Sequence, residues 1–387
     1  MDLPSQSDFL YFVSHFCDLL AGIGCLYLLV AAAVVLRLPE HRRGHCKPTA
    51  PVTILKPLQG AEPNLAPRLR SFCNQEFDAP VEMICGMLNH SDPAASAVGE
   101  IARSAATAIE LRIDARERGS NRKISNLVNM QISAHNEILV ITDSDIEVGP
   151  GYLRDVVAEL ENPAIGAVTC LYHGVAASGV WSRFAALAMN AHFLPTVVVA
   201  LSFGLAQPCF GSTIAMRRST LARIGGFEAF ADYLADDYAI GEAVRSAGYD
   251  VAIPNFTIAH FCFDASLPIL LRHELRTART IKSIDPLGYC GTVVTHPFAL
   301  ALLAALFGGN DPLLLAVIAL ACRVLLCRCV EHRFRLPRQP YELIPLRDLL
   351  SFAVFTLSFF GRSVSWRGYS YRIGSDGRLA PDRSVAP

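Results

Sequence analysis

The sequence predicts an α/β domain flanked by membrane helices, and three observations support this prediction. Of the 387 residues, 52% are hydrophobic and only 18% are charged, a composition too apolar for an ordinary soluble domain. Strand and helix patterns alternate between residues 51 and 289, as expected of a layered α/β fold. Stretches poor in charge lie on both sides of that region. The formal net charge of −1 gives no indication of a nucleic-acid partner.

The first apolar stretch, residues 19–36, carries no charge and is just long enough to cross a bilayer. Acidic residues precede it, and Arg37, Arg42 and Arg43 follow it. A secretory signal peptide has its basic residues in front instead, so this stretch is predicted to be an uncleaved transmembrane anchor. Because basic residues favour the cytoplasmic side, residues 1–18 are expected outside and the chain after the anchor inside.

The C-terminal region, residues 290–360, is predicted to contain further membrane helices, with candidate spans at residues 293–307, 313–326 and 343–360. A basic tail at residues 361–387 follows them. The number of spans places this tail outside, whereas its arginines favour the cytoplasm. The side of the membrane on which the tail lies therefore stays open.

Residues 37–289 are predicted to form a cytoplasmic domain. Its strand signals are continuous apolar runs, as in a parallel sheet that is covered on both faces, and they lie at residues 52–58, 81–88, 109–113 and 138–142. The second and fourth of these runs end in acidic loops, at Asp92 and at Asp143. Since ligands of open α/β sheets bind at the carboxyl ends of the strands, the two loops predict a nucleotide pocket.

The loop after the fourth strand contains Asp143 and Asp145, separated by one serine. Two carboxylates at this spacing offer hard oxygen ligands to Mg²⁺ or Mn²⁺, which can bridge the phosphates of a nucleotide. A simple turn that caps the next helix is the alternative interpretation.

A third acidic site is formed by Asp236 and Asp237. Adjacent carboxylates repel each other, so the pKa of one is expected to rise, which suits proton abstraction from an alcohol. A helix N-terminus that favours acidic residues accounts for the pair equally well, and the two interpretations are compatible.

Between the second and third acidic sites lies an apolar segment, residues 194–205, that is too short to span a bilayer. We predict that it is an interfacial helix; a buried strand or core helix is the alternative. Nearer the C-terminal spans, Arg272, Arg276 and Arg279 recur at helical spacing. This basic face could be attracted to anionic lipid, or it could bind a diphosphate leaving group.

The chain resembles the ceramide glucosyltransferases, membrane-bound inverting enzymes with a GT-A-type, Rossmann-like nucleotide-sugar domain. Related bacterial enzymes glycosylate hopanoid lipids. The resemblance runs in order along nearly the whole chain. Its motifs are residues 55–58 (LKPL), 63–65 (PNL), 92–94 (DPA), 123–127 (KISNL), 143–144 (DS), 211–212 (GS), 216–217 (MR), 225–227 (GGF) and 236–238 (DDY).

The resemblance implies roles for individual residues. Nucleotide-sugar binding falls on Asp92, Lys123, Asn126 and Asp143. Asp145 would join Asp143 in holding Mg²⁺ or Mn²⁺.

Among the catalytic residues, the resemblance assigns the role of base to Asp237, next to Asp236, and Arg276 matches the arginine of the family's last motif. The family pattern there is Gln or Arg, two residues, then Arg-Trp. In this chain His273 and Thr277 replace the first and last of these residues.

The acceptor side of the pocket therefore stays open. Arg272 lies one residue early and could substitute for the missing cation. His192 aligns near a family histidine linked to activity, although a core or surface histidine is equally consistent with its apolar surroundings.

The resemblance implies transfer of a sugar, with glucose favoured, from a UDP-sugar to the hydroxyl of a bilayer lipid such as ceramide. The bacterial relatives imply an inner-membrane location. One alternative is a hopanoid glycosyltransferase that uses UDP-N-acetylglucosamine. A processive polysaccharide synthase is disfavoured by Thr277 and by the small number of spans. An inactive scaffold is disfavoured by the retention of the three acidic sites.

Overall fold

The computed structural model describes residues 6–41, 49–307, 312–361, 363–366, 369–373 and 379–381. The chain forms two compact units. The sheet unit comprises Pro39–Ala177, Gln207–Phe263 and Arg372–Pro387. The helical unit comprises Met1–Leu38, Ser178–Ala206 and Asp264–Tyr371.

The α-helices are α1 (Gln6–Arg37), α2 (Leu65–Cys73), α3 (Ala94–Ala102), α4 (Arg122–Met130), α5 (Tyr152–Glu159), α6 (Gly179–Ala188), α7 (Leu194–Ser202), α8 (Arg218–Arg223), α9 (Asp236–Ser246), α10 (Leu267–Ile284), α11 (Pro286–Gly291), α12 (Pro297–Leu306), α13 (Pro312–Phe334) and α14 (Ile344–Ser358). The strands are β1 (Val52–Pro57), β2 (Val81–Met87), β3 (Ala108–Ile113), β4 (Ile138–Ile141), β5 (Ile146–Glu147), β6 (Ile165–Thr169), β7 (Leu171–Ala176), β8 (Ile214–Arg217), β9 (Asp250–Ala252), β10 (Thr257–Cys262), β11 (Ser363–Trp366), β12 (Tyr369–Ile373) and β13 (Leu379–Pro381).

A seven-stranded mixed sheet forms the centre of the sheet unit, in the order β3-β2-β1-β4-β8-β6-β9. The four predicted strands lie side by side in parallel, with Leu55 opposite both Ile84 and Ile141. Strand β8 runs antiparallel to both β4 and β6. A smaller sheet, β5-β10-β7, accompanies the large one. The predicted α/β class is confirmed.

The apolar character of the strands follows from burial on both faces. Ile54 and its neighbours in register belong to one buried cluster, with residues of α2, α3 and α5. Leu55, one position along, belongs to a second cluster with residues of α4 and α9. Because successive side chains of a strand point to opposite faces, a strand covered on both sides must be apolar throughout.

The carboxyl ends of β1, β2 and β4 meet at one edge of this sheet because the three strands are parallel. The loops that follow them carry Gly60, Asp92 and Asp143. This edge is where the sequence predicted a pocket.

In the helical unit, α1 packs against α12 and α13. Among the described residues, three helices are long and apolar enough to cross a membrane: Phe9–Arg37, Gly179–Ser202 and Leu313–Phe334. A fourth span is formed if the bent pair Pro286–Thr295 and Pro297–Leu306 is counted as one. The anchor predicted at residues 19–36 thus lies within a longer helix.

Three predicted segments differ from the structure. Residues 194–205 do not stand alone, because the π-helix Met189–Phe193 joins α6 to α7 and makes one long apolar run. The stretch 293–307 bends by 71° ahead of Pro297, whose ring cannot donate a backbone hydrogen bond. The stretch 343–360 forms a helix of only 15 residues with two buried charged side chains, Arg347 and Asp348.

The compact units also differ from the predicted 37–289 domain. Residues 178–206 and 264–289 belong to the helical unit, because their apolar side chains pack with the other apolar helices. The cytoplasmic location of this domain stays a prediction. The basic residues Arg42 and Arg43, and most of the predicted tail at 361–387, lie outside the described residues.

Candidate active site

The loop after β4 is held by two buried cations. Lys56 of β1 is fully buried, and its Nζ donates to the backbone carbonyl of Asp143 at 2.7 Å. Arg68 of α2 is 1% exposed, and its Nε donates to the backbone carbonyl of Ser144 at 3.0 Å. The backbone of the acidic loop is therefore fixed while its carboxylates stay available.

Both cations also lie against aromatic rings. The Nζ of Lys56 is 3.7 Å from the ring centroid of Phe72, and burial lowers the pKa of Lys56 to about 7. The guanidinium of Arg68 is 4.8 Å from the ring centroid of Phe263. Such contacts compensate part of the cost of removing a cation from water.

Arg68 makes two further contacts, to the carbonyl of Pro63 at 2.8 Å and to the carboxylate of Glu62 at 3.0 Å. Glu62 in turn accepts a hydrogen bond from the Ser144 hydroxyl. Sequence reasoning missed Lys56, Arg68 and Glu62 as parts of the site. The available signal was a lysine inside an otherwise apolar strand, which requires a buried partner.

Four charged side chains converge beside this loop. The Nζ of Lys123, on α4, lies 2.7 Å from Asp143 Oδ1 and 3.7 Å from Asp236 Oδ2. Burial opposes the charged form of Lys123, but Asp143 and Asp236 raise its pKa above its ordinary value. Lys123 is thus a permanent cation at the carboxyl end of the sheet.

Asp236 and Asp237 begin α9. Asp237 Oδ2 accepts the backbone N–H of Gly211 at 2.8 Å, and Oδ1 accepts that of Tyr238 at 2.8 Å. Burial, followed by the charge of Asp236, raises the pKa of Asp237 to about 6, although Lys123 opposes the shift. The carboxylate is ionised at neutral pH yet more basic than an ordinary aspartate, which suits general-base chemistry.

Gly211 lies at the centre of this group. A Cβ atom at that position would be 3.1 Å from Lys123 Nζ, 3.3 Å from Asp237 Oδ2 and 3.5 Å from Asp143 Oδ2. The absence of a side chain therefore lets the three charged groups approach one another.

We predict that Gly211→Ala lowers kcat/KM for the donor by about tenfold while changing stability little, because the new methyl displaces flexible charged groups rather than backbone. Gly99→Ala is the matched control, since a Cβ at Gly99 of α3 meets nothing within 4 Å. Steady-state kinetics and thermal unfolding of both variants make the comparison. Equal kinetics for the two variants would show that the geometry around Gly211 is not critical.

Asp92 and Asn126 are predicted nucleotide-binding residues that bond to backbone here. Both carboxylate oxygens of Asp92 accept the N–H of Gly60, at 3.0 and 2.9 Å, and Oδ1 also accepts that of Ala94 at 3.0 Å. Asn126 is 4% exposed and donates to the carbonyl of Gly86 at 2.8 Å. These bonds fix the loops at the carboxyl ends of β1 and β2, and a direct nucleotide contact stays a prediction.

The other predicted site residues belong to the helical unit: His192 in the π-helix, and Arg272, His273, Arg276 and Thr277 on α10. The structure therefore groups Lys123, Asp143, Asp236 and Asp237 in the sheet unit. His192 and those four residues of α10 belong to the helical unit.

On α10, the side chains of Arg272 and Thr277 are exposed, and Thr277 Oγ1 donates to the carbonyl of His273 at 3.2 Å. The neighbouring Glu274 forms a bidentate ion pair with the buried Arg347 of α14, at 2.7 and 2.8 Å. This pair fixes the orientation of α10 within the helical unit.

The chemistry of the acidic loop fits a divalent cation. Asp145 Oδ1 is buried and has no hydrogen-bond partner among the described residues, and such an oxygen is a suitable cation ligand. Within the described residues, no cluster of three or more His, Cys, Asp or Glu side chains could hold a metal ion. Mg²⁺ sites at nucleotides typically use only one or two carboxylates, with phosphates and water as the other ligands.

Comparison with known proteins relates the chain to a family. The family model of glycosyl transferase family 21 matches residues 17–379. Ceramide glucosyltransferase 1 of Caenorhabditis elegans is 26% identical over 248 residues, which are 61% of this chain and 52% of that protein. The chain thus spans about half the length of this curated relative.

Among solved structures, the mannosyltransferase PcManGT from Pyrobaculum calidifontis, in complex with GDP-Man and Mn²⁺, is similar with a TM-score of 0.57 at 20% identity. The match covers 91% of this chain and 99% of that one. This likeness confirms the predicted fold class, an α/β domain of GT-A type with apolar helices near the termini.

Proposed function

The chain belongs to glycosyl transferase family 21, and on that premise we propose that it transfers a sugar, glucose by first choice, from a UDP-sugar to the hydroxyl of a membrane lipid such as ceramide, with inversion. One observation carries the proposal: a carboxylate of raised pKa, Asp237, lies beside the cation Lys123 and the acidic loop at Asp143. The name of the curated relative supports glucose and ceramide.

In this proposal Asp237 acts as the base. It takes the proton of the lipid hydroxyl while the hydroxyl oxygen forms a bond to C1 of the sugar. The bond from C1 to the phosphate oxygen breaks at the same time, and its electron pair leaves with UDP. Positioned proton transfer of this kind typically contributes about 10²–10⁴ in rate.

The departing diphosphate requires positive charge. Lys123, whose Nζ lies 2.7 Å from Asp143 Oδ1, is the first candidate for this charge, and Arg276 is proposed to assist on the strength of its match to the family pattern. Asp143 and Asp145 would hold Mg²⁺ or Mn²⁺, which would supply charge neutralisation of the diphosphate when bound. The Mn²⁺ in the mannosyltransferase structure supports this assignment.

We predict that a chelator abolishes the sugar-transfer activity and that added Mn²⁺ or Mg²⁺ restores this activity. The binding of Mn²⁺ in the presence of UDP, followed by electron paramagnetic resonance, should be lost in Asp145→Asn, which removes the unpartnered carboxylate oxygen. Turnover in excess chelator, together with unchanged Mn²⁺ binding by the variant, would contradict the assignment.

We predict an acid limb in the pH profile of kcat near pH 6, because only the unprotonated Asp237 accepts a proton and burial raises its pKa to about 6. Activity should be lost as the pH falls through this value. Asp236→Asn removes a negative charge that raises the pKa of Asp237, so the acid limb of this variant should move to lower pH. Lys123→Met removes a positive charge that lowers the pKa of Asp237, so the acid limb of that variant should move to higher pH. Limbs that do not move in opposite directions would exclude Asp237 as the titrating group.

A hopanoid glycosyltransferase that uses UDP-N-acetylglucosamine is the second candidate. Thr277 is exposed where the family pattern has tryptophan, and the smaller side chain leaves room for a bulkier, more rigid lipid. We also propose that the protein lies in a bacterial inner membrane, with its sheet unit on the cytoplasmic side.

The direct test is UDP release by purified protein in vesicles, with UDP-glucose or UDP-N-acetylglucosamine and with ceramide, a hopanoid polyol or no acceptor. Release that requires both a donor and a lipid supports the proposal and identifies the pair. Release with repeated sugar addition to one product would favour a polysaccharide synthase. No release with any pair would favour a scaffold.

A further inference from the structure

The exposed face of α13 is apolar over most of its length and basic at its end. Leu313–Phe334 is one of the helices that are long and apolar enough to cross a membrane. Its exposed residues recur at intervals of three or four and therefore lie on one side of the helix. In chain order they include Leu314, Val317, Ala321, Leu325, Arg328 and His332. One side of α13 thus combines a surface suited to acyl chains with a basic end.

The length of the apolar part matches one leaflet of a bilayer. Val317 is 63% exposed and Leu325 is 46% exposed. An α-helix rises by about 1.5 Å per residue, so Arg328 lies roughly 16 Å along the helix axis from Val317. The hydrocarbon core of a bilayer is about 30 Å thick. A lipid whose acyl chain runs along this face therefore has its head group near Arg328.

Arg328 is held in place together with a second arginine. The guanidinium of Arg328 is 5.7 Å from the ring centroid of Tyr341, and that of Arg338 is 5.2 Å from the same centroid. The Tyr341 ring packs against a buried cluster that includes Leu187 and Ile344. The two guanidinium groups therefore lie no farther apart than these two distances together, on a ring that is itself fixed. Contacts of this kind reduce the entropy that a ligand must remove when it binds.

The charge of the two arginines is available to a ligand. Within the described residues, neither Arg328 nor Arg338 forms an ion pair with a carboxylate. Glu331, the acid nearest to Arg328 along the chain, accepts the Tyr341 hydroxyl at 2.5 Å and the N–H of Gln339 at 2.8 Å. Because like charges repel each other, two guanidinium groups on one ring favour the approach of an anion.

A general preference for basic residues at the cytoplasmic ends of membrane helices explains the sign of this charge. The helix dipole also favours a cation in the last turns of α13. Neither effect requires two guanidinium groups on the same aromatic ring, and neither aligns them with an exposed apolar face. The arrangement of Arg328, Arg338 and Tyr341 is therefore more specific than membrane orientation alone needs.

We infer that the basic end of α13 binds one anionic phospholipid. The lipid phosphate accepts hydrogen bonds from Arg328 and Arg338, His332 lies one helical turn beyond Arg328, and an acyl chain runs along Leu325 and Val317. Arginine suits this role because its planar fork of N–H donors matches the oxygens of a phosphate. A zwitterionic lipid also carries a phosphate, but its ammonium group is repelled by the two cations. The site thus selects a lipid of net negative charge.

The test is native mass spectrometry of the full-length protein in detergent micelles, titrated with dioleoyl phosphatidylglycerol or dioleoyl phosphatidylcholine. The wild-type protein should bind the first molecule of phosphatidylglycerol about tenfold more tightly than phosphatidylcholine, since charge-assisted hydrogen bonds favour it. Arg328→Gln and Arg338→Gln should each reduce this preference to about threefold or less. Binding of phosphatidylcholine should be unchanged in both variants.

Arg37→Gln is the matched control. Arg37 is exposed in the last turn of α1, a neighbouring membrane helix that packs against α13. Its substitution removes the same charge from a comparable position, so the tenfold preference should persist. Thermal unfolding without added lipid shows whether each variant is folded. Arg338 follows the end of α13, so Arg338→Gln still tests the site if Arg328→Gln fails to fold.

Glycerol 3-phosphate distinguishes a lipid from a soluble phosphate, because it has the phosphate without acyl chains. A tenfold excess over phosphatidylglycerol should displace little of the bound lipid. Full displacement would assign the site to a soluble phosphate and overturn the inference. Equal binding of the two lipids by the wild-type protein would overturn it as well, and so would an equal loss of preference in Arg37→Gln and in the two site variants.

Discussion

Asp237→Asn is expected to reduce kcat by about 10³ or more while leaving the Kd for UDP-sugar within a few-fold. The amide has nearly the same shape, and its oxygen can still accept the N–H of Gly211, which bonds to Asp237 at 2.8 Å. What it cannot do is take a proton from an alcohol. Single-turnover sugar transfer and donor binding, measured on the same preparation, separate the two effects.

The neighbouring substitution Asp236→Asn is the control. Asp236 accepts from Asn121 at 3.1 Å and lies 3.7 Å from Lys123, so its loss should weaken the site without removing the base. If Asp236→Asn were inactive and Asp237→Asn retained near-normal turnover, the role of base would belong to Asp236.

Arg68→Met is expected to destabilise the sheet unit by about 3–5 kcal/mol and to lower its unfolding temperature on the order of 10 °C. The substitution leaves Glu62 and the carbonyls of Pro63 and Ser144 without their donor. Donor-dependent turnover should fall as well, because the carbonyl of Ser144 belongs to the acidic loop. Circular dichroism on heating and UDP release measure the two consequences.

Arg70→Met is the matched comparison, since Arg70 lies two residues along the same helix and is 45% exposed in a pair with Glu100 at 3.4 Å. An exposed pair of this kind contributes less than about 1 kcal/mol, so this variant should resemble the wild-type protein. Equal effects of the two substitutions would show that Arg68 has no special part in holding the loop.

The sheet could be predicted from the sequence because its strands are buried on both faces. Apolar runs such as residues 52–58 and 138–142 are too short to cross a membrane, and polar or glycine-containing loops bound them, which favours buried strands. Parallel pairing then required the loops at Asp92 and Asp143 to share one edge, as they do.

The boundaries of the helical unit could not be predicted in the same way. A π-helix such as Met189–Phe193 has no clear sequence signal, so the apolar run 194–205 looked isolated although it continues α6. The bend ahead of Pro297 was indicated by the proline, but the buried charges of α14 depend on partners distant in sequence, such as Glu274 for Arg347.

Within the candidate site, acidic side chains were easier to recognise than the residues that hold them. Asp143 lies two residues after β4 and Asp237 is the second residue of α9, and these positions are visible in the sequence. Lys56 and Arg68 act on backbone carbonyls through contacts that span up to 87 residues. The lysine in the apolar strand β1 is visible in the sequence, but the distant carbonyls to which Lys56 and Arg68 donate are not.

The configuration of the product tests the proposed inverting transfer to a lipid most directly. UDP-glucose has an α linkage at C1, so attack by a lipid hydroxyl with Asp237 as base should give a β-linked monoglucosyl lipid and one UDP per glycolipid. Nuclear magnetic resonance of the anomeric proton, together with UDP quantification, measures both quantities for the wild-type protein with ceramide. A β-glucoside in equal amount to UDP is the predicted result. An α-glucoside, or free glucose released with UDP whether or not lipid is present, would contradict inverting transfer to a lipid.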